Sequence, residues 1–267
     1  MNQTNCANII ETKEFSTVCA TVNTSDENTL VVFDVDEVLL TPSDKVLQYK
    51  TYANEKLGSI AEQVGLPEFW NLMSILFMQR SAQHVDFGFV SLLRELQNRK
   101  VKVVALTNCQ TSGFGQMPSM KDWRLTELKN LDYHFDHSWR NIPEKVFESL
   151  PNTEFADTFP IFIQGVLFTN NVPKGQVLKA FLDYQEYNPN QIIFIDDRLD
   201  YIDSVGEVAK AAAIPYVGIH YTAADVGKKP ELCEKRVSLQ LDVLVKEKIW
   251  LSDKEADERM EKYYEDR

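Results

Sequence analysis

Residues 30–40, LVVFDVDEVLL, constrain the fold of this chain more than any other segment. The apolar run from Leu30 to Phe33 is typical of a strand covered on both faces, as in a parallel sheet. Asp34 and Asp36 follow at alternate positions, so their side chains would point the same way. Ligands of open α/β sheets bind beyond the carboxyl ends of the strands, where we expect both carboxylates to lie. A strand that becomes polar simply because its end reaches solvent would have the same sequence pattern.

Length and charge limit the class of protein. A chain of 267 residues predicts one large core with an insertion, or two domains. Its 28 basic and 40 acidic residues give a net charge of −12, which argues against a nucleic-acid or anionic-membrane surface as partner. A small phosphorylated substrate, or a phosphoprotein, stays compatible because a bound cation can reverse the charge inside one pocket.

The sequence predicts a cytoplasmic protein. No apolar run approaches the roughly 18 residues of a membrane span. The opening residues, MNQTNCANIIETKEF, lack the basic and apolar regions of a secretory signal. The four cysteines are scattered without a C-x-x-C pair, which indicates free thiols rather than a zinc site or a disulfide framework.

Helical periodicity fills residues 45–100 and is broken at Gly65. Only the last helix, about 86–99, feeds directly into the next buried strand at 101–106, as a β-α-β crossover requires. The helices before it are therefore an insertion, which we assign to residues 41–85. Further strands are predicted at 162–168, 191–195 and 216–221.

Residues 132–160 show no clear pattern, but they contain a second group of chemically active side chains. His134, Asp136 and His137 are metal ligands by residue type, and a strand would put His134 and Asp136 on one face. Solvated loop histidines are the commoner explanation, and no further ligand can be named from the sequence.

Several predicted strands and one helix carry a polar residue of a particular kind at their ends. In chain order these are Asp34-x-Asp36, Thr107, Lys174 and Asp196–Asp197. Over residues 30–221 their order and types resemble the four motifs of the haloacid dehalogenase superfamily. The stretches GVLFTNNVPKGQVLKAFL and FIDDRLDYIDSV are similar to a little-characterised bacterial branch of this superfamily. The resemblance to that branch implies no particular substrate. Within the first motif, Glu37 and Val38 stand where Gly and Thr are commoner.

The resemblance implies a fold and a domain arrangement. The fold would be α/β, with a Rossmann-like core whose parallel central sheet is flanked by helices, formed by residues 1–40 and 86–225. Residues 41–85 would be a small α-helical cap inserted after the first motif strand, acting as a lid that excludes water and carries substrate selectivity. We expect residues 226–267 to be a helical extension packed on the core.

The resemblance also implies a phosphoric monoester hydrolase. Asp34 would be the nucleophile that forms an aspartyl-phosphate, and Asp36 would protonate the leaving oxygen and later take a proton from water. The dehalogenases of the family lack this second Asp, so Asp36 favours phosphoryl transfer. Thr107 would donate a hydrogen bond to the phosphate, joined by backbone N–H groups near Val35 and Asn108.

Lys174 would add a fixed positive charge against the phosphate and the crowded carboxylates. Such crowding requires a cation, and hard oxygen ligands favour Mg²⁺. By resemblance the ligands are the Asp34 side chain, the Asp36 backbone carbonyl and Asp196. Asp197 would either join them or orient Lys174.

Two alternatives are kept. The first is a phosphotransferase of the same fold whose acceptor is not water. The second is a catalytically silent protein that retains the fold as a scaffold for a partner. A response-regulator receiver uses similar residues, but there the acidic pair precedes the phosphorylated Asp, so the order is wrong for this chain.

Overall fold

The computed structural model describes residues 8–151, 158–225 and 232–265. Residues 1–7, 152–157, 226–231 and 266–267, which the sequence analysis assigned to the core and to the C-terminal extension, lie outside the described residues. The strands are β1 (Asn8–Thr12), β2 (Thr29–Phe33), β3 (Leu40–Pro42), β4 (Ala82–His84), β5 (Lys102–Thr107), β6 (Lys145–Val146), β7 (Ile161–Ile163), β8 (Val166–Phe168), β9 (Gln191–Asp196) and β10 (Tyr216–Tyr221). The helices are α1 (Phe15–Val22), α2 (Lys45–Gln48), α3 (Lys50–Val64), α4 (Leu66–Gln79), α5 (Gly88–Asn98), α6 (Met120–Asn130), α7 (Lys174–Tyr184), α8 (Leu199–Ala211), α9 (Glu234–Glu247) and α10 (Asp253–Glu265), and a 3₁₀ helix covers Phe135–Ser138.

A mostly parallel sheet organises the fold, with strand order β1-β10-β9-β2-β5-β8-β7-β6, while β3 and β4 form a separate two-stranded sheet. The six strands from β1 to β8 in this order pair in parallel, and β7 and β6 continue the edge in antiparallel fashion. From β2 the chain passes to β5, reaches the edge of the sheet at β6, comes back through β7 to β8, and then crosses to the other side of β2 at β9. The topological switch point, where ligands bind in such sheets, therefore lies between β2 and β9.

Strand β2 is the centre of the core, as its apolar sequence predicts. All five of its residues are buried. Leu30 and Val32 belong to a cluster that contains residues of α7 and α8, including Phe181 and Val205. The ring of Phe33, on the opposite face, lies 6.0 Å from that of Phe89 in α5. Helices thus cover both faces of the sheet, and the predicted α/β, Rossmann-like fold class is confirmed.

The single strand predicted over residues 162–168 is wrong. The segment is instead the hairpin β7–β8, with Gln164 and Gly165 at its turn and φ angles of 52° and 77°. Two consecutive positive φ values are the signature of the tight type I′ turn that joins antiparallel strands. A Cβ atom on Gly165 would also lie 2.5 Å from the backbone of Phe135, which restricts this position to glycine.

The chain divides into two compact units. The first contains Met1–Leu40, His84–Ser112 and Arg124–Ala223, and the second contains Thr41–Gln83, Gly113–Trp123 and Ala224–Arg267. The inserted helices α3 and α4 belong to the second unit, and the break predicted between them occurs at Gly65, whose φ is 82°.

This division corrects the assignment of the C-terminal extension to the core. The second unit has its own apolar cluster, in which Leu72 and Ile75 of α4 pack with Val237 and Leu244 of α9 and with Trp250. The physical reason is that an amphipathic helix shows which of its faces is apolar but not which element will cover that face.

Candidate active site

Two carboxylates at the ends of neighbouring strands share one ammonium group. The register pairs Phe33 with Ile195, so Asp34 and Asp196 stand side by side at the carboxyl ends of β2 and β9. The Nζ atom of Lys174 donates to Asp34 Oδ1 at 2.5 Å and to Asp196 Oδ2 at 2.7 Å. All three side chains are buried. The sequence-predicted motifs that end β2 and β9 therefore meet the one that begins α7.

The local sequence explains how Lys174 reaches this position. Side chains alternate along β2, so Asp34 follows Leu30 and Val32 toward the face covered by α7. Lys174 is the first residue of α7, and the next residue has no side chain because a Cβ on Gly175 would lie 2.1 Å from the Ser204 carbonyl oxygen of α8. This close approach of α7 to α8 fixes the position of the first turn of α7, and with it the position of the Lys174 side chain.

The electrostatics of the cluster are unbalanced toward negative charge. Asp34, Asp196 and Asp197 each offer a carboxylate oxygen, and these atoms lie within 4.8 Å of one another. Burial raises the pKa of Asp34 well above its usual range; the Lys174 ammonium opposes this rise, and the Asp196 carboxylate adds to it. Burial likewise raises the pKa of Asp196, again against the effect of Lys174.

Lys174 remains an ammonium in this setting. Burial acts to lower its pKa, but the adjacent Asp34 and Asp196 outweigh burial and raise the pKa above its ordinary value. The Nζ atom also lies 4.5 Å from the ring centre of Tyr201, a cation–π contact. The cluster is therefore a buried site of fixed positive charge between two acids.

Asp36 occupies a different environment from Asp34. Its side chain is 48% exposed, and its Oδ1 atom accepts a hydrogen bond of 2.7 Å from the guanidinium of Arg124, which is only 3% exposed. Arg124 also forms an ion pair with Glu127. Asp36 is therefore in contact with solvent while one of its oxygen atoms is held.

Arg124 is the site residue that sequence reasoning missed. The buried residues of α6 are Arg124 and Leu128. The signal was weak: Arg124 lies four residues before Leu128, which puts both on one face, but an arginine in a helix normally lies at the surface.

The turn that follows Asp36 has an unusual backbone conformation at Glu37. Glu37 has a φ of 63°, in the left-handed region that glycine adopts without strain. Its N–H donates to the Leu40 carbonyl at 2.8 Å, while the N–H groups of Leu39 and Leu40 both donate to Val35 O. This closed turn makes the backbone around Val35 rigid.

Thr107 and Asn108 end strand β5, the other neighbour of β2. Thr107 is fully buried, and its hydroxyl oxygen accepts a 3.2 Å hydrogen bond from the N–H of Cys109. The side-chain amide of Asn108 accepts from Thr169 at 2.8 Å and donates to Asn171 at 2.9 Å. The loops after β5 and β8 are thereby joined, and the predicted phosphate contacts of Thr107 and Asn108 stay predictions.

Cys109 lies in this loop but is not a nucleophile at neutral pH. Burial raises the pKa of its thiol to about 12, although the charge of Arg124 opposes the rise. Only the thiolate is reactive, so Cys109 is a structural residue under ordinary conditions.

Comparison with known proteins adds relatives but no activity. A "Putative outer membrane protein" of Chlamydia trachomatis serovar D is 27% identical over 220 residues, which is 81% of this chain and 77% of that protein. An uncharacterised protein of Rickettsia conorii is 26% identical over 150 residues, or 55% of this chain and 50% of that protein. A haloacid dehalogenase-like family hydrolase from Streptococcus pneumoniae is a structural neighbour with 16% identity and a TM-score of 0.38, covering 72% of this chain and 94% of that one.

The chlamydial relative contradicts the predicted cytoplasmic localisation, because its name assigns it to the outer membrane. That prediction relied on the lack of a long apolar run and of a signal-like start, neither of which identifies a compartment. Among the helices of the described residues, none combines the length and the apolar character needed to cross a bilayer.

A family model matches nearly the whole chain. It covers residues 11–257 and is described as "Protein of unknown function (DUF2608)". The matched range includes every residue of the acidic cluster, Lys174, Asp36 and Arg124. The chain therefore belongs to the DUF2608 family.

Proposed function

We propose that this protein is a Mg²⁺-dependent phosphatase that hydrolyses a phosphomonoester through an aspartyl-phosphate on Asp34. The observation that carries the proposal is the simultaneous pairing of Lys174 with Asp34 and Asp196 at the ends of β2 and β9. This pairing joins three of the four motifs that resemble the haloacid dehalogenase superfamily at the topological switch point of the sheet.

In the first step, Asp34 is the nucleophile. One oxygen of its carboxylate is held by Lys174, which leaves the second oxygen to attack phosphorus. The bond between phosphorus and the ester oxygen breaks as the bond to Asp34 forms. Asp36 gives its proton to the departing ester oxygen, so the product leaves as a neutral alcohol.

In the second step, a water molecule hydrolyses the aspartyl-phosphate. Asp36, now ionised, takes a proton from the water as the water oxygen attacks phosphorus. The bond to Asp34 breaks, and inorganic phosphate and the Asp34 carboxylate are released. The partial exposure of Asp36 supports this assignment, because a group that exchanges a proton twice per turnover must reach both solvent and the leaving group.

The donor set of the acidic cluster fits a hard divalent cation. Asp34, Asp196 and Asp197 provide carboxylate oxygens close to one another, and the Asp36 backbone carbonyl is the further ligand implied by the resemblance. When bound, Mg²⁺ would supply positive charge that offsets the repulsion between these carboxylates and an incoming phosphate.

The proposed substrate is a small phosphorylated molecule. A phosphoprotein carries the same phosphomonoester group and is the alternative substrate. Thr107 would donate its hydroxyl hydrogen to a phosphoryl oxygen, since the oxygen of that hydroxyl already accepts from Cys109 N–H. The net charge of −12 speaks against nucleic acid as the partner.

Turnover of p-nitrophenyl phosphate with Mg²⁺ tests this proposal. We expect activity in the wild type, none in Asp34→Asn, and wild-type activity in Asp183→Asn, a control that changes an exposed carboxylate of α7 in the same way. Loss of turnover on chelation of the metal should be reversed by added Mg²⁺. Activity retained in Asp34→Asn would remove the nucleophile.

The same assay separates the two alternatives. A phosphotransferase would move the phosphoryl group to an added alcohol such as glycerol in preference to water. A silent scaffold would show no turnover with any member of a panel of phosphorylated metabolites and phosphopeptides.

A further inference from the structure

The three residues His134, Asp136 and His137 form a second cluster, separate from the acidic one. They lie in and just before the 3₁₀ helix Phe135–Ser138, not on the strand that the sequence analysis considered. In a 3₁₀ helix, side chains three residues apart eclipse one another. The imidazole rings of His134 and His137 accordingly stack, with centres 5.3 Å apart and planes inclined by 13°.

The backbone that carries this cluster is held in place from both ends. The Gln97 side chain donates to the His134 carbonyl at 2.7 Å, and Lys102 Nζ donates to the Ser138 carbonyl at 2.8 Å. Phe135 is buried between them, and Trp139 anchors the following turn through a 2.6 Å hydrogen bond to Val103 O. The ligand-bearing segment is thus rigid before any ligand binds, which lowers the entropic cost of binding.

His134 already has the support that metal-binding histidines usually have. One of its ring nitrogens, Nε2, lies 3.0 Å from Asp132 Oδ1, and Asp132 is paired in turn with Arg94. A carboxylate on one nitrogen fixes the ring and raises the basicity of the other. Nδ1 of His134 is therefore the atom that would face the cluster.

We propose that His134, Asp136 and His137 bind one divalent transition-metal ion of the Zn²⁺ class. The ligand atoms of the three residues lie within 4.8 Å of one another, and Asp136 and His137 are exposed, so both can rotate toward a common centre. Two imidazole nitrogens and one carboxylate suit Zn²⁺ and similar ions, whereas Mg²⁺ prefers an all-oxygen set. Three protein ligands leave at least one position for water or an external ligand.

The test is a titration with Co²⁺, a coloured substitute for Zn²⁺, in the presence of excess Mg²⁺ that occupies all-oxygen sites. We expect the wild type to bind one equivalent with visible d–d absorption, and His134→Gln and His137→Gln to lose that absorption. His84→Gln is the matched control, because the ring of His84 bonds to the Tyr133 hydroxyl outside the cluster. Asp132→Asn should weaken binding by about 10-fold to 100-fold.

A second readout guards against loss of binding through misfolding. Zn²⁺ should raise the unfolding temperature of the wild type and of Asp34→Asn, but not that of the two cluster variants, whose metal-free unfolding temperatures should match the wild type. Retention in Asp34→Asn makes this result independent of the proposed phosphatase site. No Co²⁺ binding by the wild type, or binding that survives in His137→Gln, would overturn the proposal.

Discussion

The Nζ atom of Lys174 lies 2.5 Å from Asp34 Oδ1 and 2.7 Å from Asp196 Oδ2, in a part of the core where the three side chains are at most 6% exposed. A buried ion pair contributes little net stability when complete, because desolvation offsets attraction, but removing one partner leaves an uncompensated charge. Lys174 is therefore required by the fold as well as by the proposed chemistry.

Replacing Lys174 with Met should destabilise the protein strongly. Breaking a buried pair of this kind costs about 3 to 5 kcal/mol in the free energy of unfolding. Lys179→Met on the same helix is the matched control, because Lys179 is exposed and its pair with Asp183 is worth at most about 1 kcal/mol. Urea unfolding at neutral pH measures both. Equal effects of the two substitutions would mean that Asp34 and Asp196 do not depend on the ammonium.

The pH dependence of stability should show the raised pKa of Asp34. Burial raises this pKa in the folded state, so between about pH 4 and the folded pKa the native protein binds more protons than the unfolded chain. The contribution of Asp34 to stability is therefore present at low pH and is lost as the pH rises through that window. In metal-free buffer, the free energy of unfolding of the wild type minus that of Asp34→Asn should fall with rising pH. A difference that rises with pH would show that Lys174 outweighs burial.

Arg124→Lys tests the guanidinium that holds Asp36. A lysine keeps the charge but lacks the planar fork that contacts Asp36 and Glu127 through different nitrogens. We expect lower stability, by about 1 to 3 kcal/mol for the buried hydrogen bond that is left unmade, and slower turnover because Asp36 is less well positioned. Arg259→Lys, which changes an exposed pair with Glu247, should alter neither. Arg124→Lys with wild-type turnover would show that Asp36 needs no such support.

Thr107 separates a phosphate-binding role from a structural one. Thr107→Val keeps the shape of the side chain but removes the hydroxyl, so turnover should fall about 10² to 10³-fold if that hydroxyl stabilises the transition state. Thr107→Ser retains the hydroxyl and should keep most of the activity. Equal rates in the two variants would show that the Thr107 hydroxyl has no part in turnover, and would leave it only the structural hydrogen bond that it accepts from Cys109 N–H.

The sequence predicted the acidic cluster because its parts are encoded locally. A buried strand that ends in an acidic residue can be recognised from a few adjacent residues. Parallel strands bring their carboxyl ends to one edge, so Asp34 and Asp196 could be placed together from the sequence alone. Lys174 required the family resemblance, because a lysine that begins a helix usually lies in solvent.

What the sequence did not predict depends on contacts between distant segments. Arg124 lies 88 residues from Asp36, whose carboxylate it holds. The sequence does not show whether an arginine is buried or exposed. The hairpin at Gln164 and Gly165 was missed because a glutamine at positive φ is uncommon, and this hid the turn within an apolar run. The packing of α9 against α4 was not predicted because the apolar face of a helix does not show which segment will cover it.

Trapping of the covalent intermediate tests the proposed phosphatase most directly. The Asp36→Asn variant should still transfer phosphate from p-nitrophenyl phosphate, because p-nitrophenolate leaves without a proton, but should hydrolyse the aspartyl-phosphate slowly for want of a base. Acid quenching, borohydride reduction and peptide mass spectrometry would then locate the modified carboxylate. We predict one equivalent of p-nitrophenolate released in a burst, with the reduced residue at position 34. A burst that leaves Asp34 unmodified, or that modifies Asp196 or Asp197 instead, would contradict the proposed mechanism.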